Sequence, residues 1–352
     1  VGFFRADDVQ PLFQHQGGYL NSASVGLPPR ATVEALHRAT DDWATGNIAA
    51  GSFDEVVARC RASFAALAGV PPEWVTINST ASSLVGLVAA SLPAGAEVLY
   101  PRDDFTSLLF PFLQRAEAGG LRVREVPLEH LASSIGPTTT LVAASAVQSA
   151  DGRVADLDAI AAAARRHDAL TIIDATQALG WLPLPAASFD FVLAAAYKWL
   201  MAPRGVALMT VRPEHWRRLR PLAPGWYAGD DIWTATYGAP LRLATTARRF
   251  DISPAWLCWT GAVPALDLVR ELGVEAIRDH DVGLANAFRE RIGLAPSNSA
   301  IVSLRGEGLA QDLRAAGLVI AERNGATRVS FHVYNTLDDV DRAAAAVSIR
   351  AA

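Results

Sequence analysis

The 352-residue chain is 51% hydrophobic and 19% charged, which is enough apolar material for a large core and for one large and one small domain. A net charge of −5 and an isoelectric point near 5.8 argue against a nucleic-acid or anionic-membrane surface, and no apolar run approaches the ~20 residues that cross a bilayer. No basic-then-apolar leader is visible, and the two cysteines, Cys60 and Cys258, lie far apart without metal-ligand spacing, so a reducing, cytoplasmic setting is expected.

In chain order, a short amphipathic opening leads to Gly18-Tyr19-Leu20-Asn21-Ser22-Ala23-Ser24-Val25-Gly26-Leu27-Pro28-Pro29. Its Gly and Pro content predicts a loop running into a helix from about Pro29 to Thr45. Residues 54–68 follow with helical period, then a strand over Val75–Asn78 and a helix over Ala81–Leu92. The junction Asn78-Ser79-Thr80-Ala81-Ser82 puts hydroxyls and orphan backbone N–H groups at a helix N-terminus. That arrangement suits a phosphate, and it equally suits an ordinary Ser/Thr N-cap.

Further strands are expected over Val98–Tyr100 and Thr140–Ser145, with a helix to about Glu117 between them and another over 157–167. Phe105, just past a strand end, reads as core packing or as a ring offered to a site. Strands alternating with helices predict a doubly wound, mainly parallel sheet.

Two short apolar runs then stand out, Leu170–Ile173 and Phe191–Ala196, which read as buried parallel strands. The first ends in Asp174 and the second in Tyr197-Lys198. Ligands of open α/β sheets sit at the carboxyl ends of strands. Lys198 is also the only lysine in the chain. A lysine can snorkel from a strand end to solvent, but an arginine-rich chain supplies Arg at indifferent sites. Arginine cannot deprotonate, whereas a desolvated lysine can act as a nucleophile or form a Schiff base. An Asp about two dozen residues before such a lysine suits pyridoxal 5′-phosphate (PLP), whose ring nitrogen needs a carboxylate and whose aldehyde needs an amine.

Residues 213–255 are rich in Trp, Tyr, Gly and Arg, including Gly225-Trp226-Tyr227 and Arg248-Arg249-Phe250-Asp251-Ile252-Ser253-Pro254. Low periodicity there predicts a long ordered loop. A helix is expected from about Pro254 to Leu272, and the last readable motif is Thr327-Arg328-Val329-Ser330-Phe331-His332-Val333-Tyr334-Asn335, before an acidic helix start at Leu337.

Asp174-Ala175-Thr176-Gln177 followed by Tyr197-Lys198-Trp199-Leu200-Met201-Ala202-Pro203-Arg204-Gly205 resembles the class V aminotransferase family of fold-type I PLP enzymes, and the likeness extends over nearly the whole chain. The resemblance implies an α/β fold, with a large PLP-binding domain over 31–253, a smaller C-terminal α/β domain over 254–352, and an N-terminal segment over 1–30 that covers the active site. It implies Lys198 and Asp174 as catalytic residues. Ser79, Thr80 and Tyr197 would hold the cofactor phosphate, Phe105 would stack on its ring, and Gln177, where many relatives carry His, would donate to the ring oxygen. Asn21 and Ala23 would lie near the substrate carboxylate, which Arg328 would clamp through bidentate guanidinium geometry. Gln148 and Ser149 match a segment facing the cofactor, with a departure at Ala150-Asp151. Ala195 lacks a hydroxyl that desulfurases place three residues before the lysine. Ser253 would reach the neighbouring subunit's phosphate, implying a two-fold homodimer with shared sites.

PLP folds do not choose the chemistry. Cysteine desulfurases need a nucleophilic cysteine on a loop of the small domain, and residues 295–327 contain none. Elimination, epimerisation, transamination and hydrolytic Cβ–Cγ cleavage remain. Within the family, the pattern around Lys198 and the Ile252-Ser253-Pro254-Ala255-Trp256 departure look most like the C–S lyase of ergothioneine biosynthesis. The expected reaction is cleavage of an S-substituted cysteine or its sulfoxide, hercynylcysteine sulfoxide giving ergothioneine, pyruvate and ammonia. A class V aminotransferase or an isopenicillin-N-epimerase-like amino-acid epimerase is the alternative. A regulator that keeps the fold without the chemistry and a cofactor-free Schiff-base lyase are the readings outside this group.

Overall fold

A computed structural model describes residues 6–15 and 17–348. Seven strands make the main sheet: β1 Val75–Asn78, β2 Ala96–Pro101, β3 Leu121–Val126, β4 Thr139–Ser145, β5 Leu170–Asp174, β6 Phe191–Ala195 and β7 Ala207–Val211, in the order β1-β7-β6-β5-β4-β2-β3. From β3 through β2, β4 and β5 to β6 every neighbouring pair is parallel. Strand β7 alone is reversed, antiparallel to both β6 and β1. The physical reason is the short connection over residues 196–206, which cannot hold the helical crossover that a parallel return requires. Lys198 lies in that short return.

The continuous apolar runs of the central strands follow from burial on both faces. Along β5, Ile172 packs into one core cluster with Leu193 and Met209, while Ile173 packs into the opposite one with Val192 and Leu208. On one face, helices Arg30–Thr45 and Ser52–Ala68 pack against helix Trp256–Leu272; on the other, Ala81–Ser91 packs against Thr106–Glu117. The helix expected from Pro254 begins at Trp256, and residues 213–255 hold only short turns such as Trp226–Ala228 and Ala247–Phe250.

A second, antiparallel sheet contains β8 Ile301–Leu304, β9 Ala321–Arg323 and β10 Ala326–Ser330, in the order β8-β10-β9. Helices Val274–Arg291 and Leu337–Ser348 pack together beside it. Strands β9 and β10 are joined by Asn324-Gly325, whose φ values of 50° and 71° are those of a two-residue turn matched to strand twist.

The N-terminal loop ties the two sheets together. Leu20 N–H donates to the Val319 carbonyl at 2.9 Å, and Ser330 N–H to the Leu20 carbonyl at 2.9 Å. The loop then crosses to the lysine turn, where Gly26 N–H donates to the Tyr197 carbonyl at 2.9 Å. A Cβ at Gly26 would lie 1.9 Å from the Lys198 carbonyl oxygen, so only glycine permits this approach.

Candidate active site

Lys198 is 5% exposed and lines a cavity at the carboxyl ends of β5 and β6. Burial lowers its amine from the ordinary 10.5 to about 8; the nearby Asp174 carboxylate opposes this, while Arg328, Arg323 and Arg204 reinforce it. Asp174 closes β5 and is 4% exposed, with its Oδ1 accepting from Thr176 N–H at 2.8 Å. Burial raises its pKa, and hydrogen bonds from Thr176 and the charge of Lys198 counter the rise.

The remaining walls come from other strand ends. Phe105 borders the cavity with its ring centroid 5.3 Å from Lys198 Nζ, and the Tyr197 ring centroid is 5.8 Å from the same atom. Ser79, Thr80 and Ser82 line the end nearest helix Ala81–Ser91. Thr80 is the N-cap: its Oγ1 accepts from Ser83 N–H at 3.2 Å and lies 2.8 Å from Ser83 Oγ. The two readings of this junction are therefore compatible, since one hydroxyl caps the helix while its neighbours face the cavity. Arg204 also lines the cavity, its guanidinium 5.2 Å from the Tyr197 ring centroid.

Gln177 is buried and saturated. Its Nε2 donates to the Ala23 carbonyl at 2.8 Å and to Ser149 Oγ at 3.0 Å, and its Oε1 accepts from Trp199 Nε1–H at 2.9 Å. Donation to a ring oxygen would therefore replace the Ser149 bond. Arg328, 1% exposed, donates through Nη2 to Ser24 Oγ at 2.8 Å and through Nη1 to Ser149 Oγ at 3.2 Å and the Ser149 carbonyl. Burial pulls its pKa down to about 10, with Arg323 acting in the same direction. Ser149 itself lines the cavity, so Arg328 stands at its edge.

Asn21 and Ala23 do not line the cavity. The Ala23 carbonyl accepts from Gln177 Nε2, while its N–H donates to Ser330 Oγ at 3.0 Å. Asn21 bridges to Ser330 through backbone, and its Oδ1 is buried without a partner among the described residues. Ser253 is exposed and absent from this chain's cavity wall. Gln148 is buried, and neither of its side-chain amide atoms finds a partner among the described residues.

Sequence reasoning missed Asp104 and Ser145. Asp104 Oδ2 accepts from Ser145 N–H at 2.7 Å, and Oδ1 accepts from Phe105 N–H at 2.6 Å and from the Ser145 hydroxyl. It thereby fixes the aromatic residue to the end of β4. Burial raises the Asp104 carboxyl to about 6, with the Asp174 charge adding to the rise. In the sequence, an acid before a helix start has the same appearance as a common capping residue.

The donor set fits PLP. A buried amine, a buried carboxylate, an aromatic face and a hydroxyl-rich helix N-terminus are what an aldehyde, a pyridine nitrogen, a ring and a phosphate require. Neither cysteine lines the cavity. Burial pushes the Cys60 thiol up to about 12, and Cys258 is also raised.

A family profile described as aminotransferase class-V matches residues 19–310. An uncharacterized aminotransferase of Bacillus subtilis, YcbU, is 28% identical over 339 residues, covering 89% of this chain and 90% of its own. Isopenicillin N epimerase of Amycolatopsis lactamdurans is 28% identical over 382 residues, covering 93% of this chain and 94% of its own. Among solved structures, the cystine C-S lyase C-DES in complex with cysteine persulfide superposes with a TM-score of 0.84 at 20% identity, covering 98% of this chain and 99% of that one.

Proposed function

Since the chain belongs to the class V aminotransferase family and uses PLP, we propose that it catalyses β-elimination on an S-substituted cysteine or cysteine sulfoxide, breaking the Cβ–S bond. The observation that carries this reading is the pairing of a depressed amine with a thiol-free cavity. Lys198 has a pKa near 8 beside Asp174, and no cysteine of the chain reaches the site to accept sulfur. Hercynylcysteine sulfoxide is the substrate we propose within that class, on the sequence pattern around Lys198.

Lys198 would hold the cofactor's aldehyde, Asp174 its ring nitrogen, Ser79, Thr80 and Tyr197 its phosphate, and Phe105 one face of its ring. When bound, PLP supplies an electron sink conjugated to the substrate's Cα. Arg328 binds the substrate carboxylate and fixes its orientation. Once free, Lys198 takes the Cα proton; an amine with a pKa near 8 is partly neutral at physiological pH and suits that transfer. Sulfur then leaves Cβ as a thiolate, or from the sulfoxide as a sulfenate that an external thiol reduces by two electrons to reach ergothioneine. The three-carbon fragment takes up water to end as pyruvate and ammonia. Asn21 and Ala23 hold the N-terminal loop over this arrangement through Ser330 and Gln177.

We also propose a homodimer. Ser253 is exposed on its own chain, and the segment before it displays Trp233, Tyr237 and Leu241 at 50%, 87% and 76% exposure. Such an apolar surface suits burial against a second copy.

Epimerisation of an amino acid is the second reading, favoured by the isopenicillin N epimerase likeness across 93% of the chain. Incubation with hercynylcysteine sulfoxide, cysteine, a chiral amino-acid panel and amino donors with keto acids separates them. Pyruvate formed in step with C–S cleavage supports the lyase. Amino-group exchange without pyruvate indicates an aminotransferase, and loss of Cα chirality alone indicates an epimerase.

A further inference from the structure

Beside Arg328, the β9–β10 hairpin carries a second guanidinium that the reaction above leaves without a task. In the β9–β10 hairpin, Arg323 pairs with Ala326 and Arg328 with Ala321. Paired residues project to the same face, as do residues two apart, so Arg323 and Arg328 are diagonal neighbours on one face. Both donate to a single acceptor on the N-terminal loop, Ser24 Oγ, Arg328 at 2.8 Å and Arg323 at 3.2 Å.

Two like charges held this close oppose each other. The Arg323 charge adds to burial in lowering the Arg328 pKa. The carboxylate next to Arg323 in sequence, Glu322, is engaged by Arg314 at 2.7 Å. Among the described residues neither Arg323 nor Arg328 forms an ion pair. The turn Asn324-Gly325 fixes the hairpin that carries them, so the pair is placed by backbone geometry rather than by chance side-chain rotation. Arg323 is exposed whereas Arg328 is buried and bonds Ser149, a residue of the cavity wall, so the pair runs from solvent inward to that wall.

We propose that Arg323, with Ser24, is a second anion site, and that the substrate is an amino acid whose side chain carries a second carboxylate. This rests on the proposed amino-acid chemistry, in which Arg328 takes the α-carboxylate. Arg323 then reads the far end of the substrate and selects against neutral and cationic side chains.

Calorimetric titration of the PLP-loaded protein tests this without turnover. The probes are succinate, glutarate and adipate, with butyrate as the monocarboxylate. The best dicarboxylate should bind about tenfold or more tighter than butyrate. Arg323→Gln should abolish that advantage while leaving butyrate unchanged, and Arg323→Lys should restore part of it. Arg323 is exposed, so these variants keep the fold. Equal binding of dicarboxylates and butyrate to the unaltered protein overturns the second site. So does an Arg323→Gln protein that loses affinity for both alike, because Arg323 would then only assist the α-carboxylate. A parallel arm adds S-carboxymethyl-L-cysteine, which carries the second carboxylate, and follows the visible spectrum of the bound cofactor. A spectral response without dicarboxylate preference overturns the second site alone; no response to the amino acid removes the underlying reading as well.

Discussion

His332 Nε2 donates to the backbone carbonyl of Trp199 at 3.1 Å, so a side chain just beyond β10 holds the residue that follows Lys198. A carbonyl only accepts, which places a proton on Nε2 and turns Nδ1 toward Asp281 Oδ2 at 2.9 Å. Both side chains are fully buried, and burial raises the Asp281 pKa. His332→Ala would leave that carboxylate unpaired and the Trp199 carbonyl without its donor. A loss of about 3 kcal/mol or more is expected, read as a lower thermal midpoint. Asp281→Asn keeps a hydrogen-bonding partner and should cost less. An unchanged midpoint in His332→Ala would show that this link does not stabilise the lysine turn.

The buried amine makes a pH signature in the cofactor-free protein. Lys198 titrates near 8 when folded and near its ordinary 10.5 when unfolded. Between those values the unfolded chain binds more protons, so this group makes stability rise with pH across the window. Well below pH 8 the amine is charged in both states and the burial penalty is fully present. The difference in thermal midpoint between the wild type and Lys198→Met should therefore change most between pH 8 and 10.5 and flatten below about pH 7. A difference that stays flat across the whole range would rule out a depressed amine.

Much of this was readable in the chain before the fold. The strands Leu170–Asp174 and Phe191–Ala195 are legible because burial on both faces favours near-continuous apolar runs, and Lys198 stands out by composition alone. Strand β3 escaped notice: its sequence, Leu-Arg-Val-Arg-Glu-Val, belongs to a sheet edge where charged residues alternate with apolar ones. The reversed β7 was hidden because direction depends on connection length, which local pattern does not reveal. Asp104 and the Ser24 bridge to Arg323 depend on contacts between distant segments, and neither leaves a local mark. Asn21 and Ala23 are expected from the sequence near the substrate carboxylate. Neither lines the cavity, and what Ala23 does bond, Gln177 and Ser330, depends on distant segments that leave no local mark.

The single lysine gives a chemical test of the anchoring atom. Reduction of the PLP-loaded protein with borohydride should fix one phosphopyridoxyl group per chain, and peptide mapping should place it on Lys198. Lys198→Ala should lose the visible band of lysine-bound cofactor and at least about 10³-fold in turnover, since it removes both the anchor and the proton acceptor. Full activity in that variant would remove the Schiff-base reading.

Gly26 provides a test of how the N-terminal loop meets the lysine turn. A methyl group there would sit 1.9 Å from the Lys198 carbonyl oxygen, so backbone must shift and the Gly26–Tyr197 hydrogen bond lengthen or break. Gly26→Ala should cost on the order of 2 kcal/mol or more and slow turnover by displacing Lys198. Gly86, in helix Ala81–Ser91 with open space around its Cβ position, is the control. Gly86→Ala should be neutral or slightly stabilising, and equal loss in both variants would mean the close approach at Gly26 is not the cause.

The reaction itself turns on where sulfur goes. A desulfurase route passes sulfur to a protein thiol, and that thiol must reach the cavity as a thiolate. Here Cys60 is fully buried, with its Sγ 3.6 Å from the Trp259 carbonyl and its pKa pushed up to about 12. Cys258 sits on helix Trp256–Leu272, beside Gly205 and off the cavity wall. Elimination needs neither thiol, because the electron pair leaves with the sulfur-bearing fragment. Cys258→Ser should therefore keep kcat within about twofold on S-substituted cysteines, and Cys60→Ala should do the same at a temperature that allows for an expected loss of about 1 kcal/mol from the core. Pyruvate should match the released sulfur fragment one to one in both. A variant that stopped turning over while retaining its PLP and its fold, or sulfur recovered as persulfide on either cysteine, would move the protein from elimination to sulfur transfer.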